Sequence, residues 1–145
     1  MAGQSHAPRI LLIRPAEQSL RFARSLRAAV PFPLRITIAP LLTPVFLPAA
    51  LPPGRCAALI FTSETGVQAY AAQPARVAPV AYCVGDRTAA AARQLGMQAI
   101  SAEGDAEALI ALIKHLRPPG DMIHLRGEDS RGDIAGRLTA AGLPT

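Results

Sequence analysis

Hydrophobic runs alternate with helix-forming segments along most of the chain. Four short runs of apolar, β-prone residues each end at a small or polar residue and lead directly into a helix-start pattern: Arg9 to Ile13, Ala57 to Phe61, Val80 to Val84 and Met122 to Leu125. A parallel strand followed by a crossover helix gives this pattern. We therefore predict an α/β protein with doubly wound parallel sheets.

The opening segment predicts a strand, a helix and a second strand. Ile10 to Ile13 has the composition of a buried strand, and Pro15 supplies the fixed φ that the first turn of a helix tolerates. A stripe of Leu and Ala continues to about Ala29, where two prolines end the helix. Residues 34–38 alternate apolar and polar, which is typical of a strand with one face in water.

A proline-rich connector over residues 39–55 has no period of its own and marks the best boundary in the sequence. We predict an opening α/β segment over residues 1–40, a linker over 41–55 and a second α/β lobe over 56–145. In the second lobe we expect strands at 57–62, 79–84, 98–101 and 121–126, and helices at 64–72, 87–95, 105–117 and 130–141. Asp105 is the predicted N-cap of the third of these helices.

Composition limits the chemistry that the protein can carry. The 145-residue chain is 50% hydrophobic but only 4% aromatic and has no Trp, so platforms for stacking nucleic-acid bases are not expected. The net charge of +5 rests on fourteen arginines and the single Lys114, spread along the chain without a basic run. Such arginines suit a substrate with many carboxylates, although a genome that favours arginine explains them equally well.

Several common kinds of site lack their defining residues. Cys56 and Cys83 have neither metal-ligand nor redox-pair spacing, and we interpret both as reduced thiols in or near the core of a cytoplasmic protein. The longest apolar stretch, residues 39–53, contains five prolines and cannot be a membrane helix. Dinucleotide, NTP, serine-hydrolase and zinc-protease motifs are absent, and the three histidines are interpreted as structural.

Polar residues at strand ends are the remaining candidates for a site. Thr62 and Ser63 follow the first strand of the second lobe, Thr88 lies in the first turn of the next helix, and Arg126 begins the loop after the last strand. Each residue taken alone is most simply a cap or a turn residue. Because parallel strands end at one edge of a sheet, together they predict a crevice in which backbone amides bind anions.

Short motifs follow one another across nearly the whole chain. They are Ile13-Arg14-Pro15, Pro40-Leu41-Leu42, Leu59-Ile60-Phe61-Thr62-Ser63 with Gly66-Val67, Val84-Gly85-Asp86-Arg87-Thr88-Ala89 before Leu95-Gly96, and Arg126-Gly127-Glu128 with Arg131, Asp133, Leu138 and Gly142. Each motif is weak by itself. Together they resemble the motifs of the uroporphyrinogen-III synthase family. Their shared order and spacing across nearly the whole chain make the match fairly specific.

The resemblance implies two flavodoxin-like α/β lobes joined by a β-ladder linker, with the second lobe inserted into the first. Residues 1–40 would open the first lobe, and residues 56–145 would form most of the second. The chain would then be a truncated, N-terminal portion of a family member, without the last strand of the second lobe, the return linker and the rest of the first lobe.

The resemblance also implies a reaction. Family members are lyases of haem biosynthesis that close linear hydroxymethylbilane into uroporphyrinogen III while inverting the terminal pyrrole ring, with neither a metal nor an organic cofactor. Loss of the hydroxymethyl oxygen gives a cationic azafulvene, and a spiro intermediate then fragments and recombines. Hydroxymethylbilane would be the small-molecule partner, and porphobilinogen deaminase would be a transient protein partner.

Carried over position by position, the family's substrate-binding residues are Arg14, Thr62, Ser63, Gly85, Thr88, Ala89 and Arg126. Their role would be to clamp the substrate through hydroxyls, backbone amides and guanidinium groups. The catalytic residue stays unknown, because the family's linker tyrosine would lie beyond Thr145 and neither Tyr70 nor Tyr82 matches it.

Two other interpretations compete with this one. The first is a non-catalytic, flavodoxin-like module that binds an anion or a tetrapyrrole in half of a cleft. The second is a generic flavodoxin-like domain with an unrelated small acidic ligand. Uncovered apolar faces also predict self-association or partial disorder within residues 1–45.

Overall fold

The computed structural model of the chain describes residues 7–48, 56–74, 80–129 and 132–145, which fall into two compact units. The first unit ends at Val45 and the second begins at Phe46. The division therefore falls within the proline-rich connector, of which residues 49–55 lie outside the described part. No helix in the described part is long and apolar enough to cross a membrane.

The first unit is a strand-helix-strand module. Its elements are β1 (Arg9–Leu12), α1 (Ala16–Ala29) and β2 (Arg35–Ile38), and the two strands pair in parallel. Several large apolar side chains of this unit are exposed, among them Leu41 at 72% and Leu42 at 76%. Self-association through these residues stays a prediction.

Helix α1 ends at Ala29 as predicted, and Pro15 lies just before its first residue. Pro15 is its N-cap residue, with an extended ψ of 143°, and not a residue of the first turn. The Ser19 hydroxyl, buried at 1% exposure, donates a hydrogen bond to the Arg14 carbonyl oxygen at 2.8 Å. This bond anchors the start of the helix to the end of the preceding strand.

The second unit is a four-stranded parallel sheet with helices on both faces. Its elements are β3 (Ala58–Phe61), α2 (Glu64–Ala71), β4 (Val80–Cys83), α3 (Asp86–Gln94), β5 (Gln98–Ser101), α4 (Ala106–Leu116), β6 (Met122–Leu125) and α5 (Ile134–Ala140). The strand order is β5-β4-β3-β6, and all neighbours are parallel. The predicted fold of parallel α/β sheets, consistent with a flavodoxin-like fold, is confirmed.

Strand β3 lies at the centre of this unit, and all four of its residues are buried. Leu59 and Phe61 pack with α2 and α3 on one face, whereas Ile60 packs with α4 and α5 on the other. Burial of one such side chain stabilises the fold by about 1.5–3 kcal/mol. Alanines in α3 are also buried, which lets that helix lie close to the sheet.

The strand order reverses direction at β3. From β3 the chain moves outward through β4 to β5, and it then crosses to the other side of β3 to form β6. Loops at such a reversal leave in opposite directions, which opens a crevice beyond the carboxyl ends of the two strands. In this unit the crevice lies between the loops that follow Phe61 and Leu125.

The last helix shows the largest difference from prediction. A helix was expected over 130–141, but α5 begins at Ile134; Ser130 and Arg131 lie outside the described residues. Gly132 has a φ of +77°, which a right-handed helix does not accommodate. The Asp133 carboxylate then accepts a hydrogen bond from the Gly136 amide at 2.9 Å and caps the helix.

Candidate functional site

Four strand ends lie side by side at one edge of the second unit. The register pairs Phe61 with both Cys83 and Leu125, and Cys83 in turn with Ser101. Thr62 follows Phe61 and therefore lies between the loop after β4 and the loop after β6, about 5 Å from each in a regular sheet. We call this edge the strand-end rim.

Ser63 caps α2. Its Oγ accepts a hydrogen bond from the Gly66 amide at 3.1 Å, so the capping function expected at this position falls to Ser63 and not to Thr62. Ser63 is exposed, and its hydroxyl proton can still be donated to another acceptor. Thr62 is half-buried beside it.

Gly66 brings the first turn of α2 against the end of β6. A Cβ at this position would lie 3.2 Å from the Leu125 carbonyl oxygen and 3.5 Å from the Phe61 ring. Glycine therefore allows α2 to cover both strand ends, and this fixes Ser63 relative to the loop that carries Arg126. The sequence shows Gly66 as a motif position, but its contact with β6 depends on tertiary structure.

Helix α3 begins without a side-chain cap. Its N-cap residue, Gly85, is extended (φ −155°, ψ 171°), and a Cβ there would meet no atom within 4 Å. The Ala89 amide makes the first intrahelical hydrogen bond, to the Gly85 carbonyl at 3.0 Å. The amides of residues 86–88 precede it and point beyond the helix end, where they and the helix dipole favour an anion.

Thr88 and Ala89 lie in the first turn of α3 but are buried, at 5% and 0% exposure. The Ala89 side chain packs in the core with Cys83 and Ala92. Since its amide also bonds within the helix, Ala89 acts at the rim through packing and offers a ligand no polar group. Thr88 has its backbone amide among those at the helix end.

The two predicted arginines belong to different units. Arg126 is exposed in the loop after β6. Because β6 pairs with β3, this loop is adjacent to the one that begins at Thr62. Arg14 is exposed at the end of β1, immediately before α1. The structure thus brings six of the seven predicted residues to the strand-end rim of the second unit, while Arg14 occupies the corresponding position in the first.

His124, close to the strand-end rim, has a feature that the sequence analysis did not predict. It lies one residue before the end of β6, and its Nε2 is buried without a hydrogen-bond partner among the described residues. Burial holds the pKa of the imidazole below its ordinary 6.5, the Arg126 charge acts in the same direction, and Asp133 opposes them. His124 is therefore neutral at pH 7. Spacing could not identify it, because the missing partner is visible only in the fold.

Cys83 ends β4 at the strand-end rim, but its side chain is buried in the core, as are those of Tyr70 and Tyr82. Burial raises the pKa of the Cys83 thiol to about 11, and burial also raises the pKa of Cys56 above 9.0. Tyr70 and Tyr82 are 2% and 5% exposed. Within the described residues, no group of three or more His, Cys, Asp or Glu side chains could hold a metal ion.

Comparison with known proteins agrees with the sequence motifs and the fold. The family model described as Uroporphyrinogen-III synthase HemD matches residues 24–145, most of the 145-residue chain. No curated protein gives a significant match. The matched range contains the six residues of the strand-end rim and excludes Arg14. A family model that covers this much of the chain identifies it as a member: the protein belongs to the uroporphyrinogen-III synthase family.

Proposed function

We propose that the protein acts as a uroporphyrinogen-III synthase, converting hydroxymethylbilane to uroporphyrinogen III with inversion of the terminal pyrrole ring. One observation carries the proposal within this family. Thr62, Ser63, the α3 amides and Arg126 all lie at a single edge of one parallel sheet, and the topological switch point between β3 and β6 lies at this edge.

The uncapped end of α3 supplies the first part of a carboxylate clamp. The other three helices of the unit, α2, α4 and α5, each have a side chain as N-cap: Ser63, Asp105 and Asp133. At Gly85 the equivalent space is open, so an acetate or propionate carboxylate of the substrate can take the place of the capping side chain. A hydrogen bond from an amide to such a charged group contributes about 1.5–3 kcal/mol.

The loops after β3 and β6 supply the second part. The Ser63 hydroxyl can donate to a carboxylate while its oxygen continues to cap α2. Arg126 can bind a carboxylate in a bidentate manner from the other side of Thr62. We further propose that Arg14, near the strand end of the first unit, is a carboxylate-binding residue of that unit.

These contacts favour catalysis by positioning. The reaction needs the linear tetrapyrrole held so that its two terminal rings meet, and fixing several carboxylates restricts the chain to such conformations. No cofactor is part of the proposal. The free thiols of Cys56 and Cys83 support a reducing, cytoplasmic compartment.

The decisive assay measures which isomer forms. Hydroxymethylbilane cyclises without an enzyme to uroporphyrinogen I, so isomer III in the presence of the full chain reports the proposed activity. Substrate is made by purified porphobilinogen deaminase, and the oxidised isomers are separated chromatographically. If isomer I alone forms at every protein concentration, the chain is not a synthase. Faster transfer with deaminase present than with preformed substrate would support the proposed transient contact.

The burial of both tyrosines favours a second candidate function, a tetrapyrrole-binding module without turnover. In that case uroporphyrinogen III binds saturably at low salt in anaerobic calorimetry, but isomer III does not accumulate. Absence of both binding and turnover would contradict both functions.

A further inference from the structure

Glu103 has a backbone conformation that its residue type rarely adopts. It lies in the loop between β5 and α4 and has a φ of +53°. A Cβ atom disfavours this left-handed region, so glycine is the residue that usually occupies it. In the described part of the chain, four of the six residues with positive φ are glycines, and Glu103 and Arg117 are the two exceptions.

The end of a helix accounts for the conformation of Arg117, but nothing similar accounts for Glu103. Arg117 is the C-cap residue of α4, and helices commonly end in the left-handed region. Glu103 is exposed, and its carboxylate makes no hydrogen bond or ion pair within the described residues. A strained residue whose side chain supports no part of the fold indicates a function for that side chain.

Three hydrogen bonds hold the Glu103 backbone at the strand-end rim. The amides of the residues before and after it donate to the carbonyl oxygens of Cys83 and Val84, at 2.8 Å and 3.1 Å. Its own amide donates to the Ser101 Oγ at 3.1 Å. These bonds place Glu103 beside the end of β4, directly before Gly85, the N-cap residue of α3. Glu103 and the open start of α3 are therefore neighbours on the rim.

These two neighbours favour opposite chemistry in a ligand. The α3 amides favour an anion, whereas the Glu103 carboxylate repels an anion and accepts hydrogen bonds. A simple polyacid gains nothing from Glu103, so a ligand that uses both must carry donors close to its own carboxylates. Tetrapyrroles have this arrangement, because each pyrrole ring has an N–H group and bears acetate and propionate side chains.

We propose that Glu103 accepts hydrogen bonds from pyrrole N–H groups of the substrate and so orients the ring whose carboxylate binds at the start of α3. The inference rests on the proposed function and adds a specificity-determining residue to it. The N–H of a pyrrole points away from its carboxylate-bearing groups, so the acceptor must lie on the far side of the ring. Glu103 is at the next strand end, roughly 5 Å along the rim, and its long side chain extends this reach.

Three variants of the full chain test this role by anaerobic calorimetry with uroporphyrinogen III, formation of isomer III and urea unfolding. Glu103→Gly removes both the strain and the acceptor, so the urea midpoint should rise while binding weakens about 10- to 100-fold. Glu103→Gln keeps the strain and the size but loses the charge, so binding should weaken without a rise in the midpoint. Arg117→Gly makes the same backbone change at the far end of α4 and should bind as wild type does.

The outcomes separate this inference from the proposed function. If wild type binds uroporphyrinogen III or forms isomer III, and both Glu103 variants do so equally well, the inference is wrong and the proposed function stands. Tighter binding by Glu103→Gln also overturns the inference, because the carboxylate would then only repel the ligand. So does an equal loss of binding in Arg117→Gly, which would show a general effect on the fold. A wild type with neither binding nor turnover contradicts both the inference and the proposed function.

Discussion

Gly85→Asp should make the protein more stable and a poorer ligand binder at once. The backbone at Gly85 is extended, as it is at Asp105, whose carboxylate accepts from the Glu107 and Ala108 amides at 3.0 Å each. An aspartate at position 85 should make the equivalent bonds with the Arg87 and Thr88 amides. It would then occupy the space that we assign to a substrate carboxylate.

The magnitudes of the two effects can be worked separately. Replacing an N-cap glycine contributes a few tenths of a kcal/mol, and a negative charge at the helix start adds about 0.3–1 kcal/mol. We therefore expect a gain of roughly 0.5–1.3 kcal/mol, measured by urea unfolding. Loss of one charge-assisted amide hydrogen bond, worth about 1.5–3 kcal/mol, should weaken binding roughly 10- to 100-fold.

The assay pairs urea unfolding with calorimetric binding of uroporphyrinogen III and with formation of isomer III. Gly85→Ala is the matched control, because its Cβ meets no atom within 4 Å and the α3 amides stay open. The control should bind within a few-fold of wild type. If Gly85→Asp is stabilised yet binds as tightly as wild type, the α3 amides are not part of the site and the reasoning is refuted.

Four further measurements test the structure around the rim. Ser63→Ala removes the α2 cap and should lower the free energy of unfolding by about 1 kcal/mol, whereas Ser63→Thr should restore most of it. Gly66→Ala improves helix propensity but crowds a backbone carbonyl at 3.2 Å, so urea unfolding should show a net loss of roughly 1 kcal/mol; a gain would contradict the close contact. His124→Leu removes a buried atom without a partner and should gain about 1 kcal/mol at pH 7. Because the folded-state pKa of His124 lies below 6.5, the unfolded chain binds the proton more readily, and wild type should lose stability relative to this variant as pH falls below 6.5; parallel stability curves would exclude this. Cys83, with a pKa of about 11 and 0% exposure, should resist alkylation at pH 8 until the protein unfolds, and Cys56 should react first.

The periodicity of the sequence was sufficient to predict the elements of both units. Where apolar runs and caps were strong, boundaries agree within one residue, as for β5 (Gln98–Ser101) and for α4, which Asp105 caps as expected. The start of α5 was placed too early because helix propensity does not reveal that Gly132 adopts a left-handed φ. The strand order could not be predicted either, since each run of hydrophobic residues fits any position in a parallel sheet.

The candidate site was predicted in part for a physical reason. Residues after parallel strands must meet at one edge, so Thr62 and Arg126 could be grouped without coordinates. Burial was not predictable in this way: Ala89 acts through packing, and the missing partner of His124 Nε2 depends on neighbours distant in sequence. The open space at Gly85 is likewise a property of the folded unit.

The position of β3 also has a consequence for synthesis on the ribosome. This strand is apolar throughout, and one of its edges stays unpaired until Met122–Leu125 emerges, long after β4 has become available on the other side. An uncovered apolar edge invites wrong pairing in a nascent chain. Pairing of the second edge of β3 and creation of the crevice are thus the same late event, and any delay in translation before β6 prolongs the period in which the protein is prone to aggregate.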